Sequence, residues 1–318
     1  MTKRLTRLAI WAAWVGVIAL GLAVAGATYE VTDDKAIDFL AQFGAPTLAL
    51  CAGALEIALI WRRWIAAAGL VVTVSALVFA LQGQWFPPHA SSASPTTRIY
   101  FANIWDENRD IARAARSVAN ANPDVAAMVE FSDRHRAAQA RLFPELPYRV
   151  LSPGNPAYAG KPGAVIASRW PLRPLTAAAT WNFNILAARV EEPGAPFRLI
   201  VVHLTRPWPF RRRQSQADQI KRLVAAIETP SDVPTVVVGD FNATASGYLL
   251  KALMAQENLS AAPAIMGDWP ANLPGPFRIA IENAFAGTGA TIVSRRLGRP
   301  TGSDHRPIVL EIAPTKAP

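Results

Sequence analysis

Long apolar runs come first along this chain; short apolar runs that stop at a polar residue come after them. Leu8 to Tyr29 is an uncharged stretch of 22 residues behind Lys3, Arg4 and Arg7, enough for one helix across a hydrocarbon core that needs about 20. A second apolar run extends from Phe39 to Trp61, with Pro46 inside it and Glu56 near its end, and a third from Trp64 to Leu81; Arg62 and Arg63 separate the two. The pattern predicts three membrane-spanning helices, the last two forming a tight hairpin whose arginines snorkel into the headgroups beside Trp61 and Trp64. A cleaved signal peptide competes for the first run, since Ala25-Gly26-Ala27 resembles a cleavage site. That run exceeds the ~7–15 apolar residues of a secretory core, and two more follow it.

After Thr97 the period shortens. Thr97–Ala102 reads as a strand leading to Asn103, Val125–Val129 as one ending at Glu130, Phe197–Val202 as one ending at His203, and Pro234–Val238 as one ending at Gly239-Asp240. Ala164–Ala167, Thr291–Val293 and Arg306–Ile312 supply further strands. Two helices lie between them. One is capped by Asn108 and has Ile111, Ala114, Ala115 and Val118 on one face; the other runs from Arg212 to Ile227 with Ile220, Leu223, Val224 and Ile227 on its stripe. Apolar strands that each end in Asn, Glu, His or Asp predict a layered α/β domain whose polar residues meet at one rim, and a core alone does not need them there.

The divisions that follow are a three-span anchor over residues 1–82, a Pro/Ser-rich tether over 83–98 and one globular domain over 99–318. About 220 residues bury one substantial core. Lys3, Arg4, Arg7, Arg62 and Arg63 mark the cytoplasmic side, while Asp33, Asp34 and Asp38 dominate the loop between the first two spans. Three crossings then place the domain outside a cell membrane, on a tether that reaches roughly 55 Å at most.

Composition agrees with lipid contact: 51% of residues are hydrophobic and only 17% charged, which fits neither disorder nor an ordinary soluble enzyme. Seven of the 32 basic and five of the 23 acidic side chains lie in residues 1–98, leaving a net +7 on the domain. That balance favours an anionic substrate or surface without identifying one. Cys51 is the single cysteine, so the chain has no intrachain disulfide and no cysteine-built metal site; it reads as a small hydrophobe in the second span. His89 and His135 have no chemical context and read as surface residues.

Each strand-end residue is by itself a turn former, but their order is informative. Asn103, then Pro123-Asp124-Val125 running to Glu130, Val201-Val202-His203-Leu204, Gly239-Asp240-Phe241-Asn242 and Gly302-Ser303-Asp304-His305-Arg306-Pro307 together resemble the endonuclease/exonuclease/phosphatase superfamily over Thr97 to Ile312. The resemblance implies a four-layer α/β/β/α sandwich of two mixed sheets, a divalent metal, usually Mg²⁺ with Mn²⁺ or Ca²⁺ as alternatives, and hydrolysis of phosphate esters. It places Glu130, Asn103 and Asp304 in the metal shell. It makes Asp240 the group that orients or deprotonates the attacking water, Asn242 a hydrogen-bonding group to the phosphate or the metal shell, and His203 and His305 the contacts of the non-bridging oxygens, with His305 the main acid/base or transition-state stabiliser.

Residues two apart in an extended segment share a side, so Asp240 and Asn242 are expected to grip one water and one phosphate together. One segment departs from the family pattern: Ala280-Ile281-Glu282-Asn283 stands where Ile-Asp-His is usual, so Glu282 is expected to orient the catalytic histidine with one more methylene.

The family's hydrolytic core serves nucleases, phosphatases and phospholipases alike. Trp208-Pro209-Phe210 followed by Arg211-Arg212-Arg213 suits shallow insertion among anionic lipids, or a stacked base with its phosphates held. Topology favours a phosphorylated lipid at the outer face as substrate, with the bilayer as partner. An extracytoplasmic nuclease acting on nucleic acid is the alternative, and a non-catalytic binding protein with a degenerate site is the third reading.

Overall fold

The structure is a computed structural model; it describes residues 2–30, 32–87, 96–152, 162–175, 184–207 and 213–315. His89 with the rest of 88–95 in the expected tether, and the run Trp208 to Arg212, lie outside the described residues.

Four helices open the chain: α1 (Thr2–Tyr29), α2 (Lys35–Ala41), α3 (Gly44–Ile60) and α4 (Trp64–Trp85). α1 from Arg4 and α4 are long and apolar enough to cross a membrane, and α2 with α3 makes a third candidate only if the bent pair is taken as one span. The second span, expected from Phe39 to Trp61, is therefore a bent pair, with a 60° bend between α2 and α3. Pro46 explains the break: it lies in the first turn of α3, where its missing N–H is harmless, but a helix continued backwards would drive its ring against the carbonyl of Gln42. Asp34 caps α2 by accepting from the N–H groups of Ala36 and Ile37 at 2.9 and 3.0 Å. Val24, Cys51, Ala58, Leu70 and Leu77 pack the bundle interior, with Cys51 buried as a small hydrophobe.

The globular domain is built on two six-stranded sheets. In chain order its elements are β1 (Thr97–Asn103), α5 (Ile111–Ala121), β2 (Val125–Phe131), α6 (Asp133–Ala137), α7 (Gln139–Leu142), β3 (Tyr148–Leu151) and β4 (Gly163–Ser168). Next come β5 (Leu172–Pro174), β6 (Ile185–Val190), β7 (Phe197–His203), α8 (Arg213–Glu228), β8 (Thr235–Asp240) and α9 (Tyr248–Gln256). The chain closes with β9 (Ser260–Ala261), β10 (Glu282–Ala286), β11 (Ala290–Leu297) and β12 (Ile308–Pro314).

The sheet orders are β11-β12-β1-β2-β4-β3 and β5-β6-β7-β8-β10-β9, with β1·β2 and β7·β8 parallel and the other pairs antiparallel. Ile99, Phe101, Leu199, Val201, Val236, Val238 and Ala284 fill the space between the sheets. α5 and α7 cover the outer face of one sheet, α8 and α9 that of the other, which completes the α/β/β/α sandwich. Asp110, rather than Asn108, caps α5 by accepting from the N–H of Arg113 at 2.9 Å. Asn108 instead donates to the Thr301 carbonyl at 3.2 Å.

His135, read as a surface residue, is fully buried. Its Nδ1 accepts from the N–H of Ser132 at 3.2 Å and lies 2.9 Å from the Ser132 hydroxyl, closing a capping box on α6.

The anchor and the globular domain are joined by more than the 83–98 segment, whose first residues continue α4 to Trp85. Asp38 Oδ1 accepts from the N–H of Tyr248 at 2.7 Å, Gln42 Oε1 from that of Thr244 at 2.6 Å, and Gln84 Oε1 from the Ser246 hydroxyl at 2.5 Å. Lys251 Nζ donates to the carbonyls of Thr28 and Glu30 at the end of α1, a favourable place for a cation. Asp38, expected in the loop between the first two spans, lies in α2 and is buried under the start of α9. The domain sits on the ends of α1, α2 and α4, at the opposite end of the bundle from the Arg62-Arg63 turn.

Candidate active site

The alternation that builds the inter-sheet core also aims the polar residues at its end. Side chains two apart on a strand share a face. Ile99 and Phe101 lead to Asn103, Leu199 and Val201 to His203, Val236 and Val238 to Asp240, and Ala284 and Ala286 back to Glu282. Register brings these ends together: His203 and Glu282 both pair across from Asp240 in neighbouring strands. Gly239 is required here, because a Cβ at that position would stand 2.2 Å from the carbonyl oxygen of Val202.

Glu130 arrives differently. The β2–β4 register shifts between Val129 and Phe131, and Glu130 has φ +55°. A bulged residue in the left-handed region turns its side chain off the strand's alternation, at a conformational cost that folds tend to carry at functional positions.

Asn103 joins the two sheets. Its Nδ2 donates to Glu130 Oε1 at 2.9 Å and to Asp240 Oδ2 at 3.0 Å, while its Oδ1 accepts from the N–H of Trp105 at 3.0 Å. The amide thus places Asn103 between the two carboxylates, in contact with both Glu130 and Asp240. His203 Nε2 lies 3.6 Å from Glu130 Oε1 and 3.8 Å from Asp240 Oδ2, and His305 Nε2 lies 3.8 Å from the same Asp240 oxygen.

Asn242 sits at φ +49°, not in an extended segment as expected; its N–H donates to Asp240 Oδ1 at 2.8 Å and its Nδ2 to the Leu204 carbonyl at 2.9 Å. It still lines the same cavity of about 370 Å³ as Glu130, His203, Asp240, Asp304 and His305. Asp304 stands at the mouth, where its Oδ2 accepts from the Trp269 indole at 3.1 Å.

Glu282 is completely buried, with Oε1 3.4 Å from His305 Nδ1 and accepting from the N–H of Asn103 at 3.0 Å; among the described residues its Oε2 has no hydrogen-bond donor. Burial pushes this carboxyl up, against the pull of His305. Burial opposes charge on His305 too, but the carboxylates of Asp240, Glu282 and Asp304 outweigh it and hold the imidazolium up to about 10. Asn283, in the place of the family's histidine, is buried and donates to the Ala243 carbonyl at 2.9 Å, tying β10 to the residue after Asn242.

Sequence reasoning missed the support behind Glu282. Asp268 Oδ1 accepts from the N–H groups of Ile281 and Glu282, both at 3.1 Å, and its Oδ2 pairs with Arg295 Nη2 at 2.9 Å. Arg295 Nη2 also donates to the Glu282 carbonyl at 3.1 Å. Burial pushes Asp268 up to about 6, with the Arg295 guanidinium pulling the other way. Trp269, whose ring centre is 6.5 Å from that of His305, and Asn184, which donates to the His203 carbonyl at 2.6 Å, were also missed. Nothing in a lone Asp-Trp-Pro or Arg-Arg pair signals such roles.

Among the described residues no three His, Cys, Asp or Glu side chains are arranged to hold an ion by themselves. The donor set nevertheless fits a hard cation of the Mg²⁺ type, which takes one or two carboxylates and keeps several waters. Glu130 is partly open to the cavity and is fixed on both oxygens, by Asn103 and by the N–H of Asp106 at 3.2 Å.

Solved structures share this fold. An endonuclease/exonuclease/phosphatase from Beutenbergia cavernae DSM 12333 is 19% identical with a TM-score of 0.55, over 71% of this chain and 73% of that one. D. rerio TDP2 complexed with single strand DNA product is 17% identical with a TM-score of 0.54, over 69% and 100%. A mutant beta toxin from Staphylococcus aureus with bound magnesium ions is 14% identical with a TM-score of 0.51, over 68% and 99%. No curated protein matches the chain. A sequence model described as the Endonuclease/Exonuclease/phosphatase family matches residues 99–305, which spans every strand-end residue described above from Asn103 to His305. The chain belongs to that family, and with it to the phosphate-ester hydrolases.

Proposed function

We propose that this protein is a membrane-anchored, divalent-metal-dependent phosphoesterase that acts on a phosphorylated lipid at the outer face of a cell membrane, with its N-terminus in the cytoplasm. The observation that carries the chemistry is the convergence of Glu130, Asp240, His203 and His305 on one cavity, with Asn103 holding both carboxylates.

A phosphate ester resists water because its charged oxygens repel a nucleophile. A cation bound through Glu130, with Asp304 at the mouth, supplies charge neutralisation and a more acidic water. The protein's own groups do the rest. Asp240, fixed by Asn103 and by the N–H of Asn242, is placed to orient and deprotonate the attacking water. His203 and His305 present Nε2 toward the cavity as donors to the non-bridging oxygens, and Glu282 holds the His305 ring by its other nitrogen. Asn242 flanks the phosphate site.

Location supports the lipid. Arg4, Arg7, Arg62 and Arg63 belong to the end of the bundle away from the domain, which fits a cytoplasmic face, and the domain rests on the other end. The neighbour solved with single strand DNA product favours a second reading, a nuclease on the same side of the membrane. The test is a panel of lipid phosphates in vesicles, nucleotides and DNA, assayed with the full-length protein and Mg²⁺. Release of phosphate or headgroup from the vesicles is expected. Cleavage of DNA with no turnover of any lipid would replace the first reading by the second.

A further inference from the structure

The segment from Ala264 to Ile279 connects the bundle to the mouth of the active site. At its start the N–H of Ala264 donates to the carbonyl of Gln84, in the last turn of α4, at 3.0 Å. In its middle Trp269 donates to Asp304, and the N–H of Ala271 donates to the Asp304 carbonyl at 2.7 Å. The short turn Gly275–Phe277 then lies beside α3 before Ile279 pairs back with Trp269. Trp269 and Gly275 are six residues apart, about 20 Å of chain at most.

Apart from Asn272, the side chains this segment leaves exposed are apolar. Ile265 is 47% exposed, Met266 48%, Leu273 40% and Phe277 45%, and Phe86, directly after α4, is 67% exposed. Met266 and the Gly275 turn touch: a Cβ on Gly275 would stand 3.3 Å from Met266 Sδ. An exposed apolar patch calls for a partner. Chain continuity names it, since a spanning helix that ends at Trp85 places Phe86 and the residue bonded to Gln84 at the lipid–water boundary.

We propose that Phe86, Ile265, Met266, Leu273 and Phe277 form an apolar lip seated in the outer leaflet, which turns the Trp269–Asp304 side of the active-site mouth toward the headgroup plane. Arg278 follows Phe277 directly and donates to the Leu273 and Ala271 carbonyls at 2.7 and 3.0 Å; Arg278 and Arg113 both lie close enough to Arg306 to oppose its charge, a cationic flank suited to anionic headgroups. The lip rests on the lipid reading above for its purpose, but not for its existence. A patch seated in lipid costs nothing in water exposure, whereas the same five residues facing solvent do.

The test uses the full-length protein in nanodiscs of phosphatidylcholine with phosphatidylglycerol. In a Cys51→Ser background, Met266→Cys, Phe277→Cys and, as a distant control, the exposed Asp232→Cys each carry an environment-sensitive fluorophore. Lipids bearing a nitroxide high on the acyl chain are expected to quench the labels at 266 and 277 and to spare the label at 232. Equal, weak quenching at all three positions overturns the lip.

A Met266→Asp/Phe277→Asp variant is then expected to lose about tenfold or more activity on vesicle-embedded phosphate esters while retaining turnover of a soluble para-nitrophenyl phosphodiester, since two apolar side chains leave the leaflet. Loss on both substrates alike also counts against the lip. Selective quenching without hydrolysis of any embedded ester leaves the lip standing and retires the lipid substrate.

Discussion

The carboxylate of Glu282 lies 3.4 Å from Nδ1 of His305 and takes the N–H of Asn103 on the same oxygen. One buried group therefore fixes the histidine of one sheet end and the first residue of the metal-side cluster on the other. Glu282→Gln keeps the size and the Asn103 bond but removes the charge that orients and stabilises the imidazolium. The expected result is a fall of about 10²–10⁴ in kcat with little change in KM, the range that general acid–base groups command. Unchanged kcat in a folded Glu282→Gln protein would remove Glu282 from the mechanism.

Behind that pair, Arg295 and Asp268 form an ion pair almost without solvent contact. Arg295→Met leaves a buried carboxylate with no counter-charge, and a loss of about 3–5 kcal/mol in unfolding free energy is expected. Asp268→Leu/Arg295→Met should recover only part of it, because the N–H groups of Ile281 and Glu282 lose their acceptor. Denaturant melts of the two variants check both statements.

His135 gives the domain a sensitivity to acid. Burial holds its folded pKa below the ordinary 6.5, with the Asn108 backbone and Asp106 opposing. A depressed pKa contributes stability that is present above the unfolded value and lost as pH falls through the folded one. Tm is therefore expected to fall as pH drops below about 6.5. His135→Gln, which retains an acceptor for Ser132, should flatten that part of the profile; a profile identical to wild type would contradict the assignment.

The bond between Gln42 and the N–H of Thr244 links the bend in the anchor to the loop two residues past Asn242. Gln42→Ala orphans a buried N–H, at a cost of about 1–3 kcal/mol. Hydrogen exchange at Thr244 and Tyr248 is expected to speed up before any global unfolding. Activity on a soluble ester should drop together with it, because Asn242 lies in that loop and its N–H bonds Asp240. Unaltered exchange would mean that the anchor merely touches the domain.

Much of this architecture is legible in the residues. The stripes Ile99-Phe101, Leu199-Val201 and Val236-Val238 announce both the inter-sheet core and, one step further along each, Asn103, His203 and Asp240. The same parity argument fails at Glu130, where a bulge resets the alternation, and at Asn242, where an Asx-type bond to Asp240 turns the backbone left-handed. Neither device has a strong local signature.

Asp268 and Arg295 are 27 positions apart and meet only because β10 and β11 follow one another; a polar residue in a loop reads as solvated until its partner is known. The break at Pro46 was visible, but an apolar run suggests continuity more strongly than one proline suggests an end. The docking of Asp38, Gln42 and Gln84 onto the domain depends on three separate helix ends, which no periodicity records.

The central claim is that one cation site, held through Glu130 and served by Asp240 and His305, hydrolyses a phosphate ester. Its most direct test is a calorimetric Mg²⁺ titration run beside hydrolysis of a soluble phosphodiester, on wild type, Glu130→Ala and His305→Ala in nanodiscs. The account predicts saturable Mg²⁺ binding and metal-dependent turnover in wild type, loss of both in Glu130→Ala, and retained binding with turnover lost in His305→Ala. Turnover that survives in Glu130→Ala, or that proceeds equally after chelation, would contradict it.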